Sequence, residues 1–265
     1  MFLRGAVAVL SGAGRKHGVG AATAKMLASR GCNVLINCLK NEDQAKSVIL
    51  ECKAFNVDAE YFIGDATQPE TSKKMAFLAK EKWGRTDILV NCLGVTKSAS
   101  YEKLEDLTHE DFAKLLAVNI TAPYMMSQAF QALLRASGNG VIVNVSSAAG
   151  ISGKGSSIAY AAAKGGENTL TLALSQAFSP EVRVNAVCPS FIDSSWWEES
   201  FEGKQDKYLA LVKSIQDSTL LNRVLKPVDV ALTIMSLIEN PVITGELIRL
   251  DAGAHIGKAN PRSLA

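Results

Sequence analysis

The sequence predicts an α/β fold, a doubly wound and mostly parallel sheet of seven strands with helices on both faces, and three observations carry that reading. Short runs rich in Val, Ile and Leu alternate with longer stretches of helical period, the rhythm of successive βαβ units. The runs are continuously apolar rather than alternating, as suits parallel strands buried on both faces. No linker, low-complexity segment or solenoid-length repeat interrupts the rhythm, and 265 residues lie near the upper size for one core, so residues 1–265 read as a single domain.

The elements follow in order. AVAVLS gives the first strand and a helix opens at Gly18; NVLINC precedes a helix from about Asn41; DAEYFIG precedes one from about Pro69. DILVNCLG leads to a long amphipathic helix from about Thr108, and VIVNVSS to a helix through Tyr160. VRVNAVCP is followed by a polar and aromatic insertion, a helix opened by Lys226-Pro227-Val228-Asp229, and a last strand in ELIRLDAG. The insertion, about residues 193–222, stands at the carboxyl end of a strand, where substrate lids sit. Its Trp196, Trp197, Phe201 and Tyr208 either wall a pocket for an apolar or ring-bearing compound or anchor the lid to the core or a neighbouring subunit.

Composition narrows the class. Hydrophobic residues make up 48% and charged residues 20%, and 28 Lys+Arg against 26 Asp+Glu leave a net charge of +2, which gives no charge argument for nucleic acid or an anionic membrane. The N-terminus reaches glycines too early for a secretory leader, and no run of about 18 apolar residues occurs, so a cytoplasmic protein is expected. Cys32, Cys38, Cys52, Cys92 and Cys188 are odd in number and scattered, and His17, His109 and His255 are far apart. Reduced, mostly buried thiols and no metal site follow.

The stretch SGAGRKHGVG, Ser11 to Gly20, places a glycine turn between a strand and a helix, an arrangement that aims backbone N–H groups and about half a unit of positive charge at an anion. Residues 3–13, LRGAVAVLSGA, resemble the opening of the short-chain dehydrogenase/reductases, where a strand runs into Thr-Gly-x3-Gly-x-Gly. Ser11 stands at the Thr position, Gly12 at the first Gly, and Gly18, Val19 and Gly20 match the helix start. Five residues, Ala13 to His17, stand where three are usual. The resemblance runs from about residue 3 to Gly253, and implies a Rossmann-type fold of the 3-oxoacyl-carrier-protein-reductase-like or carbonyl-reductase-like kind, with Gly12, Gly18 and Val19 lining a pyrophosphate.

Cofactor choice is read from the end of the second strand, where NAD-specific folds place an acid on the ribose hydroxyls. Here that position reads Asn37-Cys38-Leu39-Lys40-Asn41. With no acid to repel a 2′-phosphate and with Arg15 and Lys40 placed to bracket one, NADP(H) is favoured and NAD(H) is the alternative. The resemblance further implies that Asp65, with Ala66 beside it, meets the adenine. Asn91 to Gly94, NCLG, would line the cofactor where the family has Asn-Asn-Ala-Gly, with Leu93 bulkier than the usual Ala. Ile192 and Ser194 would meet the carboxamide, in CPSFIDS, where Ser190 replaces a Gly.

Tyr160 and Lys164 lie four apart in a helical stretch and so share one face. The pairing has a chemical use: an ordinary tyrosine, with a pKa near 10, is a poor base at neutral pH, and a lysine cation about 4–6 Å away favours tyrosinate. Ser147 precedes Tyr160 by the family's interval of 13 residues, and Asn119 in AVNITAPYMM stands where the family has its fourth catalytic residue. A buried Asn there needs hydrogen-bond partners, and a bond between helices is the structural alternative to catalysis. By the resemblance Tyr160 is the general acid or base, Ser147 binds the substrate oxygen, Lys164 tunes Tyr160 and holds the nicotinamide ribose, and Asn119 holds a water of the proton relay.

The reading is an oxidoreductase passing hydride between NADP(H) and a carbonyl or secondary alcohol. The competitors are an NAD(H)-dependent alcohol dehydrogenase, a catalytically idle dinucleotide sensor suggested by the altered loop, and an enoyl reductase, in which the Tyr-to-Lys interval is usually longer than four. A homodimer or homotetramer pairing through the helices of Asn119 and Tyr160 is implied by resemblance alone.

Overall fold

A computed structural model describes residues 3–195, 197, 201 and 203–257. Strands β1 (Val7–Ser11), β2 (Asn33–Cys38), β3 (Ala59–Ile63), β4 (Ile88–Asn91), β5 (Gly140–Val145), β6 (Val182–Pro189) and β7 (Leu247–Leu250) form one sheet in the order β3-β2-β1-β4-β5-β6-β7. Every pairing in it is parallel, not merely most of them. β1, β4, β5 and β6 are buried along their whole length, while the edge strands β3 and β7 are half-buried. That gradient is why the central runs read as continuously apolar.

The helices start where the sequence supplies a cap. α1 (Val19–Ser29) follows Gly18, and α2 (Glu42–Lys53) follows Asn41, whose side chain accepts from the Gln44 amide. α3 (Pro69–Trp83) has its proline in the first turn, where the missing N–H costs no helical bond, and ends on Gly84 at φ +69°. α4 (His109–Leu116) opens on a reciprocal box in which Thr108 and Asp111 cap each other's backbone. After β5 come the single turn α6 (Ala149–Ser152) and the long α7 (Ile158–Phe178), capped by the Ser157 hydroxyl on the Tyr160 amide.

The long amphipathic helix expected around Asn119 is interrupted. α4 runs into a π-helical turn, Ala117–Thr121, before α5 (Ala122–Ala136) begins. The cause lies in the sequence: Pro123 has no N–H to give the carbonyl of Asn119 four residues earlier, so the regular ladder fails there.

Two apolar layers flank the sheet. One lies beneath α1, α2 and the helix Pro227–Glu239 and contains Leu10, Leu27, Ile36 and Ile234; the other lies beneath α3, α5 and α7 and contains Leu35, Met75, Phe130 and Ile142. Each such side chain stabilises the fold by about 1.5–3 kcal/mol on burial. Strand order reverses between β1 and β4, so their carboxyl ends part to leave a crevice. Ser11, Asn91 and Asn144 stand in one register row at that edge.

Candidate active site

The register row builds a polar ladder. The Ser11 hydroxyl donates to Asn91 Oδ1 (3.2 Å), Asn91 Nδ2 to Asn144 Oδ1 (2.9 Å), Asn144 Nδ2 to the Thr171 hydroxyl (2.9 Å), and Thr171 to the Glu167 carbonyl (2.9 Å). All five residues are fully buried, where an unmade hydrogen bond would cost about 1–3 kcal/mol, so the ladder fixes the ends of β1, β4 and β5 against α7. Asn91 thus has its amide committed inside the sheet.

At the β1 end, Gly12 adopts φ +65°, and a Cβ there would stand 2.6 Å from the Leu93 Cα. Only glycine lets the turn pass so close to β4's continuation. The lengthened loop then leans sideways onto β2 and α2. The Ala13 amide donates to the Asn37 carbonyl (2.9 Å), Gly14 is pressed against Cys38, and the Lys16 amide donates to Gln44 Oε1 (3.1 Å). Lys16 also reaches Glu51 at 3.7 Å. Arg15 is half-buried in this loop, and Lys40 is exposed just past β2. Gly18 then caps α1 without any side-chain bond and with no acid in the first turn, which leaves the helix's N-terminal field facing the crevice.

Across the crevice Asp65 is exposed and accepts from the Thr67 amide (2.9 Å) and hydroxyl (2.7 Å). Ala66 and Leu93 are buried together with Ala122, so the bulk of Leu93 fills an apolar cluster of the protein itself. Ile192 forms a parallel bridge with Leu225, and Ser194 lines a cavity of about 540 Å³ together with Gly18, Lys16, His17, Lys25 and Lys226. Among the described residues Asp193 is the one acid of that cavity lining; burial works to raise its pKa, but bonds from Lys226 and Tyr208 outweigh this and hold it below the usual carboxylate value.

Of the insertion's aromatic residues, Tyr208 is buried and bonded to Asp193, Phe201 packs on Tyr208 at 5.7 Å, and Trp197 stacks on Phe191 at 5.5 Å. These contacts anchor the segment to the end of β6. Trp196 lies outside the described residues, as does the tail beyond Gly257.

At the β5 end, Ser147 is half-buried just past the strand, its hydroxyl accepting from the Ala149 amide (3.1 Å) and reaching the Pro189 carbonyl at 3.4 Å. Tyr160 is half-buried in the first turn of α7. Lys164, one turn further, is buried, and its ammonium donates to the Val145 carbonyl (3.0 Å) and to Glu167 Oε2 (2.7 Å). Burial disfavours this cation, but Glu167 and Tyr160 outweigh it and hold the lysine above its ordinary pKa. Asn119, in the π-turn, is fully buried; its Nδ2 donates to the Val95 and Leu115 carbonyls (3.0 and 2.9 Å) and its Oδ1 accepts from the Val95 amide at 3.4 Å. The partners are thus the loop after β4 and its own helix.

Gly94 joins the two ends. A Cβ there would lie 3.2 Å from Asn119 Oδ1 and 3.6 Å from Lys164 Nζ, so the glycine keeps open the space in front of both. The crevice therefore fits a dinucleotide: an uncapped helix N-terminus and basic cavity at one end, and a glycine-cleared floor before a lysine at the other. Residues suited to hold it are Gly12, Arg15, Gly18, Val19, Lys40, Asp65 and Lys164.

The sequence reading missed Glu167. It lies three residues beyond Lys164 on the same helical face, an acid within a small apolar run, and that spacing was the available signal. Next to the pair, burial pushes the Cys92 thiol up to about 12, so it stays neutral.

Known proteins resemble the whole arrangement. Residues 12–255 match a sequence family described as enoyl-(acyl carrier protein) reductase. A protein named as ketoacyl reductase 2 of the granaticin polyketide synthase, from Streptomyces violaceoruber, is 33% identical over 92% of this chain and 94% of its own length. The 3alpha-hydroxysteroid dehydrogenase of Mediterraneibacter gnavus is 30% identical over 96% of this chain and 98% of its own. A crystal structure described as a short-chain dehydrogenase/reductase from Burkholderia xenovorans superimposes with a TM-score of 0.87 at 32% identity, covering 95% of this chain and 98% of that one. With fold, crevice and matched length in agreement, the chain belongs to the short-chain dehydrogenase/reductase family of oxidoreductases, which use nicotinamide dinucleotides.

Proposed function

We propose that the protein is an NADP(H)-dependent oxidoreductase acting on a carbonyl compound or the corresponding secondary alcohol, with Tyr160 as general acid or base. The observation that carries the reading is the convergence at Gly94: the glycine clears the space before a buried Lys164 and the Asn119 amide, one helical turn from Tyr160. When bound, the nicotinamide supplies or accepts the hydride. Ser147 donates a hydrogen bond to the substrate oxygen, and Tyr160 gives or takes the proton at that same atom. Lys164 stabilises the charge that Tyr160 acquires and binds ribose hydroxyls, while Asn119 orders the loop that carries Gly94 and supports a water-borne proton path. Arg15 and Lys40 grip the 2′-phosphate.

The anchored insertion at about 193–222 serves as the substrate lid of this single domain. Relatives named for ketoacyl and steroid substrates support a ring-bearing or acyl carbonyl compound as the class. Exposed Leu116, Tyr124 and Leu172 on the helices flanking the site support a homodimer or homotetramer. Among the described residues no helix is long and apolar enough to cross a membrane, in keeping with a cytoplasmic location.

The test follows cofactor absorbance across ketones and alcohols with NADPH and NADH. Tyr160→Phe should lower turnover by about 10²–10⁴-fold and leave NADPH binding within about twofold. Retained turnover, or tighter NADH than NADPH binding, would overturn the mechanism or the cofactor choice respectively.

A further inference from the structure

We propose that Glu167 is a positioning residue of the active site, an acid that clamps the Lys164 ammonium against the Val145 carbonyl and screens the positive charge that Lys164 presents to Tyr160. The inference rests on the assignment of Tyr160 and Lys164 given above, and adds a third, buried member to that pair. Glu167 is fully buried, its Oε2 lies 2.7 Å from Lys164 Nζ, and Val145 takes a second ammonium proton at 3.0 Å. Two of the three ammonium donors are therefore fixed, and the side of the ammonium cleared by Gly94 receives the third. Fixing a flexible lysine head between two acceptors removes rotamers that would carry it out of line with Tyr160.

The carboxylate has no surface role to explain it. Its Oε1 is buried without a hydrogen bond, and the nearby Ser146 hydroxyl donates instead to the Lys164 carbonyl (3.2 Å). A buried carboxylate half-satisfied in this way is expensive, and its partner is the lysine on which the proton step depends. The groups that face it are Lys164 and, beyond it, Tyr160 on α7, Ser146 after β5, Cys92 after β4 and Cys188 on β6. The two thiols are pushed by burial to about 12 and about 11 and stay neutral near pH 7, which leaves Lys164 as the charged partner that Glu167 screens. Burial likewise pushes Glu167 up to about 7 in spite of Lys164, so above neutral pH it is ionised and the screen is in force.

The sign follows from charge. A carboxylate beside the lysine disfavours tyrosinate, and removing its charge exposes the full field of the cation. The experiment is substrate-free: tyrosinate absorbance of the whole protein is titrated, and Tyr160 is isolated as the difference between each protein and its Tyr160→Phe counterpart. Glu167→Gln should lower the pH at which Tyr160 loses its proton by about one unit, a tenfold change in proton affinity. Glu167→Asp, which keeps the charge on a shorter arm, should lower it by less, and this variant carries the test if Glu167→Gln fails to fold.

A purely structural role would leave the midpoint in place, and an unmoved or raised midpoint in the folded Gln variant, or an Asp shift as large as the Gln shift, overturns the proposal. The two readings fail separately. If Tyr160→Phe stays active while the midpoint moves, the general acid or base is another group and the coupling stands; if Tyr160→Phe is inactive and the midpoint does not move, the function stands and the screen does not.

Discussion

At the β5–α7 end of the crevice Asn144, Lys164, Glu167 and Thr171 are all buried and linked by hydrogen bonds, whereas at the β1–β2 end Lys16, His17, Lys40 and Asp65 stand exposed. On the function proposed above, the difference shows how one crevice would serve two tasks. A proton step needs groups held within fractions of an ångström, and burial with hydrogen-bonded partners supplies that rigidity. Recognition of a charged nucleotide needs field and reach, which long basic side chains on an exposed loop supply at small desolvation cost. On that function the lengthened glycine loop would be of the second kind: its backbone is pinned to Asn37 and Gln44, while Lys16 and His17 stay exposed and Arg15 is half-buried.

Substitutions at the two ends test the contrast. After the loss expected for Tyr160→Phe, the largest effect belongs to Gly12, the rigid hinge of the otherwise polar loop. Gly12→Ala must hold φ +65° and a Cβ 2.6 Å from the Leu93 backbone, so it should cost about 2 kcal/mol of stability or more, read by denaturant unfolding. A wild-type midpoint in that variant would show the turn to be adaptable and would weaken the claim that β4's continuation fixes it.

Next come the two cations beside the crevice, half-buried Arg15 and exposed Lys40. Arg15→Ala and Lys40→Ala should each weaken NADPH binding by about tenfold, roughly 1.4 kcal/mol, while leaving NADH binding little changed. Fluorescence titration with both cofactors decides it, and equal losses for the two would assign these residues to the pyrophosphate or to general charge instead of the 2′-phosphate.

A last comparison concerns stability against pH at the buried end. The folded Glu167 carboxyl, raised by burial from 4.5 to about 7, contributes stability that is fully present below about pH 4.5 and is lost as pH rises through about 7. Lys164 stays charged throughout that window and adds no slope of its own. Melting temperature measured from pH 4 to 8 should therefore fall more steeply for the wild-type protein than for Glu167→Gln. Parallel curves would mean that Glu167 titrates in the folded protein as it does in the unfolded chain.

Much of the fold was legible because its signals are local. Asn41, Thr108 and Ser157 cap helices through bonds to residues one turn away, Pro69 opens one at its first position, and the buried strands are continuous runs of β-branched and apolar residues. The break at Asn119 was legible in principle, since Pro123 removes a bond four residues back, yet the amphipathic period runs through it unchanged and conceals it. Leu93 is bulkier than the usual Ala in NCLG, and only the tertiary structure shows that it packs in an apolar cluster with Ala66 and Ala122.

By itself the sequence determined the doubly wound class, the order of its elements, and the helical spacing that sets Tyr160 and Lys164 on one face, because propensity, capping and period act within a few residues. Only the tertiary structure decided that Ser11, Asn91 and Asn144 share a register row, that Gly94 stands before Lys164 and Asn119, and that the lengthened loop rests on β2 and α2. It also decided that Glu167 is a buried partner of Lys164 and not a solvated helix acid. Those facts depend on contacts between strands and helices tens of residues apart. No local pattern encodes such distances, because they are set by how whole elements pack.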